Sequence, residues 1–161
     1  MINAGIVPKD HWVNDIKIGG GRIIGEMCHF LDLIVYLTGS LIIDINASYS
    51  SHAYGKNIFS TMKLANGSIG NVHYITNGNR RFPKERVEIF QSERIILVNN
   101  FKWIKFYGFK NQYSKFSFKQ NKGVENMIKA LLNYDQNNEF SSMKEIVNIT
   151  KASFEIDKLI K

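Results

Sequence analysis

Cysteine and proline are scarce in this sequence: Cys28 stands alone, and there are two prolines in 161 residues. A single cysteine excludes an internal disulfide. The N-terminus also lacks a charged start followed by an apolar run and a small-residue cleavage site, and together these absences point to the cytoplasm. Twelve glycines with no period, 44% hydrophobic and 12% aromatic residues exclude a collagen-like or disordered chain. No apolar run is clean enough to span a membrane. The most apolar window, 23–43, carries Glu26, His29 and Asp32 near its middle, where each ionisable group costs about 2.5–3.5 kcal/mol. Acidic residues are in deficit, 14 against 21 basic, for a net charge of +7. That balance suits phosphate only where the charges cluster. The one dense run is "NRRFPKER" at 79–86 and the other lysines are dispersed, so the basic surface reads as solvated and no nucleic-acid partner is expected.

A chain of this length buries roughly two-thirds of its unfolded surface, so 1–161 is read as a single domain. Residues 7–20, "VPKDHWVNDIKIGG", have no period and read as a loop. From Arg22 to Leu37, Ile23, Ile24, Met27, Cys28, Leu31, Ile34 and Val35 follow helical spacing, and Gly39 supplies the C-terminal stop. Two alternating runs meet at Asn66-Gly67, which predicts a hairpin with a two-residue turn. "LIIDINASYSS", "KERVEIFQ", "ERIILVN", "FKWIKFYGF" and "YSKFSFK" continue as strands, giving about seven after the helix. "NKGVENMIKALLNY" has amphipathic helical spacing, and "SSMKEIVNITKASFEIDKLI" opens with Ser142 three residues before Glu145, a capping box. The class is α+β: a large open, mostly antiparallel sheet with helices on one face. A sheet covered on one side leaves the other to a partner, which predicts a homo-oligomer through the sheet face.

"GGGRIIGEMCHFLDLIVYLTG" raises the question of a dinucleotide loop. That motif needs G-x-G-x-x-G directly after a buried strand, whereas these glycines follow a polar loop and lead towards consecutive strands. A phosphate loop is rejected. Positions 22, 26, 29, 33 and 36 lie three or four apart, which places Arg22, Glu26, His29 and Tyr36 on one face. His29 has Glu26 one turn before it and Asp32 one turn after, carboxylates that would orient the ring and raise its basicity. Gly25 would leave open space beside the imidazole. His52 and His73 have no partners at ligand spacing, and no metal site is predicted.

"NAGIVPKDHW", "GGGRIIGEMCHFLDL", "YLTGS", "LANGSIGNVHYITNG", "PKERVEIF" and "NKGVENMIKAL", in this order from Asn3 to Leu159, resemble the C-terminal domain of the glucose-fructose oxidoreductase / inositol dehydrogenase (Gfo/Idh/MocA) family. The closest likeness is to a subgroup linked to sugar and polysaccharide metabolism. The resemblance implies a dihydrodipicolinate-reductase-like C-terminal domain that binds substrate and oligomerises. The Rossmann half is absent, and it would come from the same parent chain or from a separate subunit. The implied chemistry is NAD- or NADP-dependent oxidation or reduction at a hydroxyl-bearing carbon of a sugar or cyclitol. His29 matches the family's catalytic histidine. His11, Trp12 and Asn3 fall where the family lines its substrate pocket, and Trp12 and His11 suit stacking on a sugar ring. Many members carry an aspartate four residues before the histidine; Gly25 stands there instead. Glu26, about 100° further round a helix, is the remaining carboxylate and the fifth candidate, for substrate binding. No cofactor is expected to bind this chain alone, nor is activity expected without the Rossmann domain. The alternative is a non-catalytic sugar-binding or dimerisation module.

Overall fold

The computed structural model describes residues 1–8, 10–110, 114–132 and 141–161. The chain forms two compact units, Met1–Asn79 with Ser141–Lys161, and Arg80–Phe140. Its strands are β1 (Ile2–Asn3), β2 (Ile42–His52), β3 (Gly55–Leu64), β4 (Ile69–Ile75), β5 (Arg86–Gln91), β6 (Arg94–Asn99), β7 (Trp103–Tyr107) and β8 (Ser114–Phe116). The helices are α1 (Cys28–Thr38), α2 (Val124–Leu132) and α3 (Met143–Leu159). This is the α+β class with mostly antiparallel pairing. The strands divide into two four-stranded sheets, β1-β4-β3-β2 and β5-β6-β7-β8. The break falls in 76–85, where Pro83 has no N–H to give a ladder.

In the first unit the strand alternation sorts the core. Ile58, Met62 and Leu64 of β3 and Val72 and Tyr74 of β4 are buried, as are Ile42 and Ile45 of β2. Met27 and Leu31 meet them from the first helical stretch, and Ile149, Ala152 and Ile156 from α3. The fully buried Met27, Leu31, Met62 and Ile156 each contribute about 1.5–3 kcal/mol by leaving water. Asn148 ties α3 to the sheet in both directions: its Nδ2 donates to the Ile42 carbonyl at 2.9 Å and its Oδ1 accepts the Ile42 N–H at 2.9 Å.

The hairpin at Asn66-Gly67 forms, but not with the two-residue turn that the dipeptide predicts. Lys63 pairs with Ile69, Gly67 N–H donates to the Leu64 carbonyl, and Leu64 N–H donates to Ser68. Only Gly67 takes a positive φ, 86°, so the loop is the three-residue type that ends in a left-handed residue. The reason is what Asn66 does elsewhere. Its Nδ2 donates to the Thr38 carbonyl at 3.1 Å and its Oδ1 accepts the Ser68 N–H at 3.0 Å, so it bridges the hairpin to the end of α1. There Gly39, at φ 59°, turns the chain out of the helix as predicted. The two-residue turn with both residues left-handed is instead Ser92-Glu93, at φ 47° and 65°.

In the second unit, Glu85 is buried and accepts from Lys122 Nζ at 2.6 Å and from Gln120 Nε2 at 3.1 Å. α2 has the predicted spacing and no buried residue; Asn133 and Tyr134, the last residues of that predicted helix, lie outside the described residues. Among the described residues no helix is long and apolar enough to cross a membrane.

α3 opens with the predicted capping box. Ser142 Oγ accepts the Glu145 N–H, and Ser142 N–H donates to Glu145 Oε2 at 2.6 Å. The backbone N–H of Ser142, then its hydroxyl, hold the Glu145 carboxyl below its usual value. A depressed folded value means stability that is present above the ordinary glutamate range, about 4.3, and lost as pH falls through the folded value. Ser142→Ala is expected to cost about 1 kcal/mol in denaturant unfolding at pH 7. Glu145→Gln is expected to flatten the acid limb of a stability-versus-pH curve.

Candidate functional site

The glycine run works through sterics at every member. Gly20 and Gly21 have φ of 69° and 80°, left-handed backbone that a side chain disfavours. Gly19 is hemmed in: a Cβ there would lie 2.5 Å from the Trp12 carbonyl oxygen. The loop before it is closed by Asp15, whose Oδ1 accepts the Lys17 N–H at 2.7 Å and whose carbonyl accepts the Gly19 N–H at 2.8 Å. Gly25 then presses on Gly19, since a Cβ at Gly25 would lie 2.6 Å from the Gly19 carbonyl oxygen. This corrects the expectation of open space beside the imidazole, because backbone fills the position. It also shows why no aspartate stands at 25.

Ile23–Met27 closes as a π-helix, and α1 begins only at Cys28. The wider turn breaks the single polar face that α-helical spacing predicts. Glu26 turns to the sheet, where the hydroxyl of Tyr74 donates a short hydrogen bond to its Oε2. Arg22 Nη2 lies 3.8 Å from the same oxygen, its Nη1 donates to the Gly5 carbonyl at 3.1 Å, and its guanidinium sits 5.7 Å from the centroid of the Tyr74 ring. Tyr74 is completely buried. Burial, and then the bond to Glu26, push its hydroxyl well above the usual phenol range, so it stays a donor. Arg22, Glu26 and Tyr74 thus join the helix entry, β4 and the strand-end loop after β1. Sequence reasoning missed Tyr74; its signal is a phenol at an inward position of an alternating strand, where a polar tip needs a partner.

His29, the second residue of α1, is exposed. Its ring makes no hydrogen bond among the described residues. Glu26 faces Tyr74, so it does not orient the imidazole as its spacing suggested. Tyr36, further along α1, is also exposed. Cys28 beside His29 donates to the Ile24 carbonyl at 3.0 Å, and burial first of all raises its thiol above the ordinary value, which makes it a poor nucleophile.

His11 and Trp12 stand together on the loop that Gly19 contacts. Their ring centroids are 5.7 Å apart, Trp12 is 57% exposed, and His11 Nδ1 accepts the Val13 N–H at 3.3 Å. Asn3 is buried in β1, paired in parallel with Ile75, and its Nδ2 donates to the Asn79 carbonyl at 2.8 Å. The structure therefore makes two groupings of the candidates, His11 with Trp12 at the glycine loop, and Glu26 with the strand that neighbours Asn3. Among the described residues no group of three His, Cys, Asp or Glu side chains is placed to hold a metal ion.

No family model matches the chain, and no curated protein matches it in sequence. Solved structures do match in fold. UDP-N-acetylglucosamine 3-dehydrogenase GnnA from Acidithiobacillus ferrooxidans superimposes with a TM-score of 0.73 at 18% identity, over 99% of this chain and 51% of that one. The dehydrogenase MviM from Clostridium difficile gives 0.66 at 19% identity, over 86% and 48%. Biliverdin reductase from Synechocystis, solved with biliverdin and NADP+, gives 0.71 at 9% identity, over 99% and 52%. The chain spans about half the length of each.

Placing a methyl at position 25 forces it onto the backbone carbonyl of Gly19, which has no side chain to yield. Gly25→Ala is expected to destabilise the chain by about 1–3 kcal/mol, read as a lower midpoint in thermal or denaturant unfolding, with a smaller loss for Ala substituted at the open position Gly39.

Proposed function

We propose that this chain, whose fold is that of the C-terminal half of Gfo/Idh/MocA-type dehydrogenases, is the substrate-binding and oligomerisation domain of an NAD- or NADP-dependent oxidoreductase. The substrate is a sugar or cyclitol, and 1–161 acts as one functional unit in the cytoplasm. The observation that supports this reading is the exposure of His29 at the head of α1, beside an entry that steric contacts hold in place.

The nucleotide does not fit this chain's own glycine loop. Gly19 is packed against Trp12, a polar loop precedes it where a phosphate motif needs a strand, and the helix it opens begins as a π turn. The dinucleotide is assigned to a Rossmann domain, in the parent chain or in another subunit. This chain's residues bind the sugar and handle its hydroxyl proton. A ring nitrogen of His29 accepts that proton as the carbon is oxidised, and returns it in the reverse direction. Trp12 and His11 offer ring surfaces to the apolar face of a sugar. Asn3 of β1 and Glu26, bonded to Tyr74 of the adjoining β4, are the further polar groups assigned to the substrate.

Together with the nucleotide-binding domain, His29→Asn is expected to lower kcat by about 10²–10⁴-fold with a small change in KM. Because His29 is exposed, the variant keeps its fold, and an unchanged kcat would remove the histidine from the chemistry. NADH fluorescence titration is expected to show binding only when the Rossmann domain is present.

The outward face of the first sheet carries Asn46, Thr61 and Asn71 in one row and Ser48, Phe59 and His73 in the next. All six are exposed. Phe59 and His73 meet edge-on at 5.5 Å between centroids. Such a face suits a wet, hydrogen-bonded contact with a second copy. Light scattering is expected to give a dimer mass, and Phe59→Asp, which sets two like charges at a symmetric contact, a monomer.

A further inference from the structure

The π turn at Ile23–Met27 is held from both sides. Downstream, Leu31 and Val35 of α1 are buried in the core and the Thr38 carbonyl accepts from Asn66. Upstream, Gly25 abuts the Gly19 carbonyl, and Gly20 and Gly21 are left-handed. An i→i+5 closure places one more residue in the turn than an α-helix does. With about 100° per residue, a return to α-helical winding would rotate the side chains before this segment by about that angle relative to those after it.

Arg22, just before the π segment, and Glu26, near its end, are both held by the same neighbour. Tyr74 donates to Glu26, the Arg22 guanidinium lies over the Tyr74 ring, and Arg22 reaches on to Gly5. Tyr74 cannot yield easily. It is an inward residue of β4, paired with Ile2 on one side and Ile58 on the other. The clamp therefore spans the extra residue from end to end and closes three positions before His29.

We propose that Tyr74 and Arg22 are positioning residues for His29: by holding the Glu26 carboxylate on the sheet they fix the π-helical register of 23–27, and with it the direction in which the His29 ring leaves α1. This rests on the reading of His29 as the proton acceptor. Glu26 serves the site from behind, as the grip of the clamp.

The test uses the full 161-residue chain, isotope-labelled, with the ring signals of His29 and His73 followed by NMR alongside amide exchange. In Tyr74→Phe the His29 ring signals are expected to move and exchange at 23–28 to accelerate about tenfold, while those of His73, on the outward sheet face, stay in place. Glu26→Gln keeps an acceptor for the Tyr74 hydroxyl and is expected to give a smaller change than Glu26→Ala. The proposal is overturned if His29 and 23–28 are unaffected in Tyr74→Phe, or if His73 moves as far as His29, which is the mark of general loosening. Should Tyr74→Phe fail to fold, the two Glu26 variants decide, and equal effects from both would overturn it. None of these signals requires turnover. A full kcat in His29→Asn would remove the proton-acceptor reading and leave the clamp measurable, and unmoved ring signals would remove the clamp and leave the kinetic test standing.

Discussion

The contact between Gly25 and the carbonyl of Gly19 is the constraint from which the first helix takes its form. Two backbones approach so closely that any side chain at 25 would overlap a carbonyl oxygen. Flexible neighbours can relieve a clash at the end of a long side chain; a backbone oxygen cannot move without moving its peptide. The chain at 19–21 must then climb away through left-handed backbone, which Gly20 and Gly21 allow. The helix that follows starts as a π turn, Glu26 is carried towards the sheet, and His29 emerges facing solvent. The carboxylate near the site is thus the one at 26, because position 25 has no volume for one.

Much of this fold can be read from the amino-acid order. The Gly39 stop and the Ser142–Glu145 box form where local chemistry puts them, since each rests on neighbours within four residues, and the strand runs form where side-chain alternation puts them. Features that depend on distant partners were not legible. Asn148 looks like any polar residue on a helix until Ile42 of β2 supplies both its donor and its acceptor. Asn66-Gly67 carries a two-residue hairpin signature, yet Asn66 bonds to Thr38 of α1 and the turn lengthens by one residue. The π segment is the clearest case. α-Helical spacing places Arg22, Glu26 and His29 on one side, whereas Arg22 and Glu26 stay together at Tyr74 and His29 alone faces solvent. No composition marks an i→i+5 closure; only the crowded glycine and the buried phenol account for it.

A buried phenol bonded to a partly buried carboxylate is an expensive device for a helix entry, because what desolvation the carboxylate undergoes must be offset by its partners. An apolar pair of the same volume would pack as well. It would not, however, select a register: dispersion falls off gently with rotation and scarcely distinguishes a π turn from an α turn. A hydrogen bond to a charged acceptor loses strength steeply with angle, and is worth about 1.5–3 kcal/mol when made. The Tyr74 hydroxyl, with burial keeping its proton in place, and the Arg22 guanidinium meet Glu26 in one geometry only. The polar clamp therefore supplies direction where the surrounding apolar core supplies adhesion, and direction is what an exposed imidazole at the next turn requires.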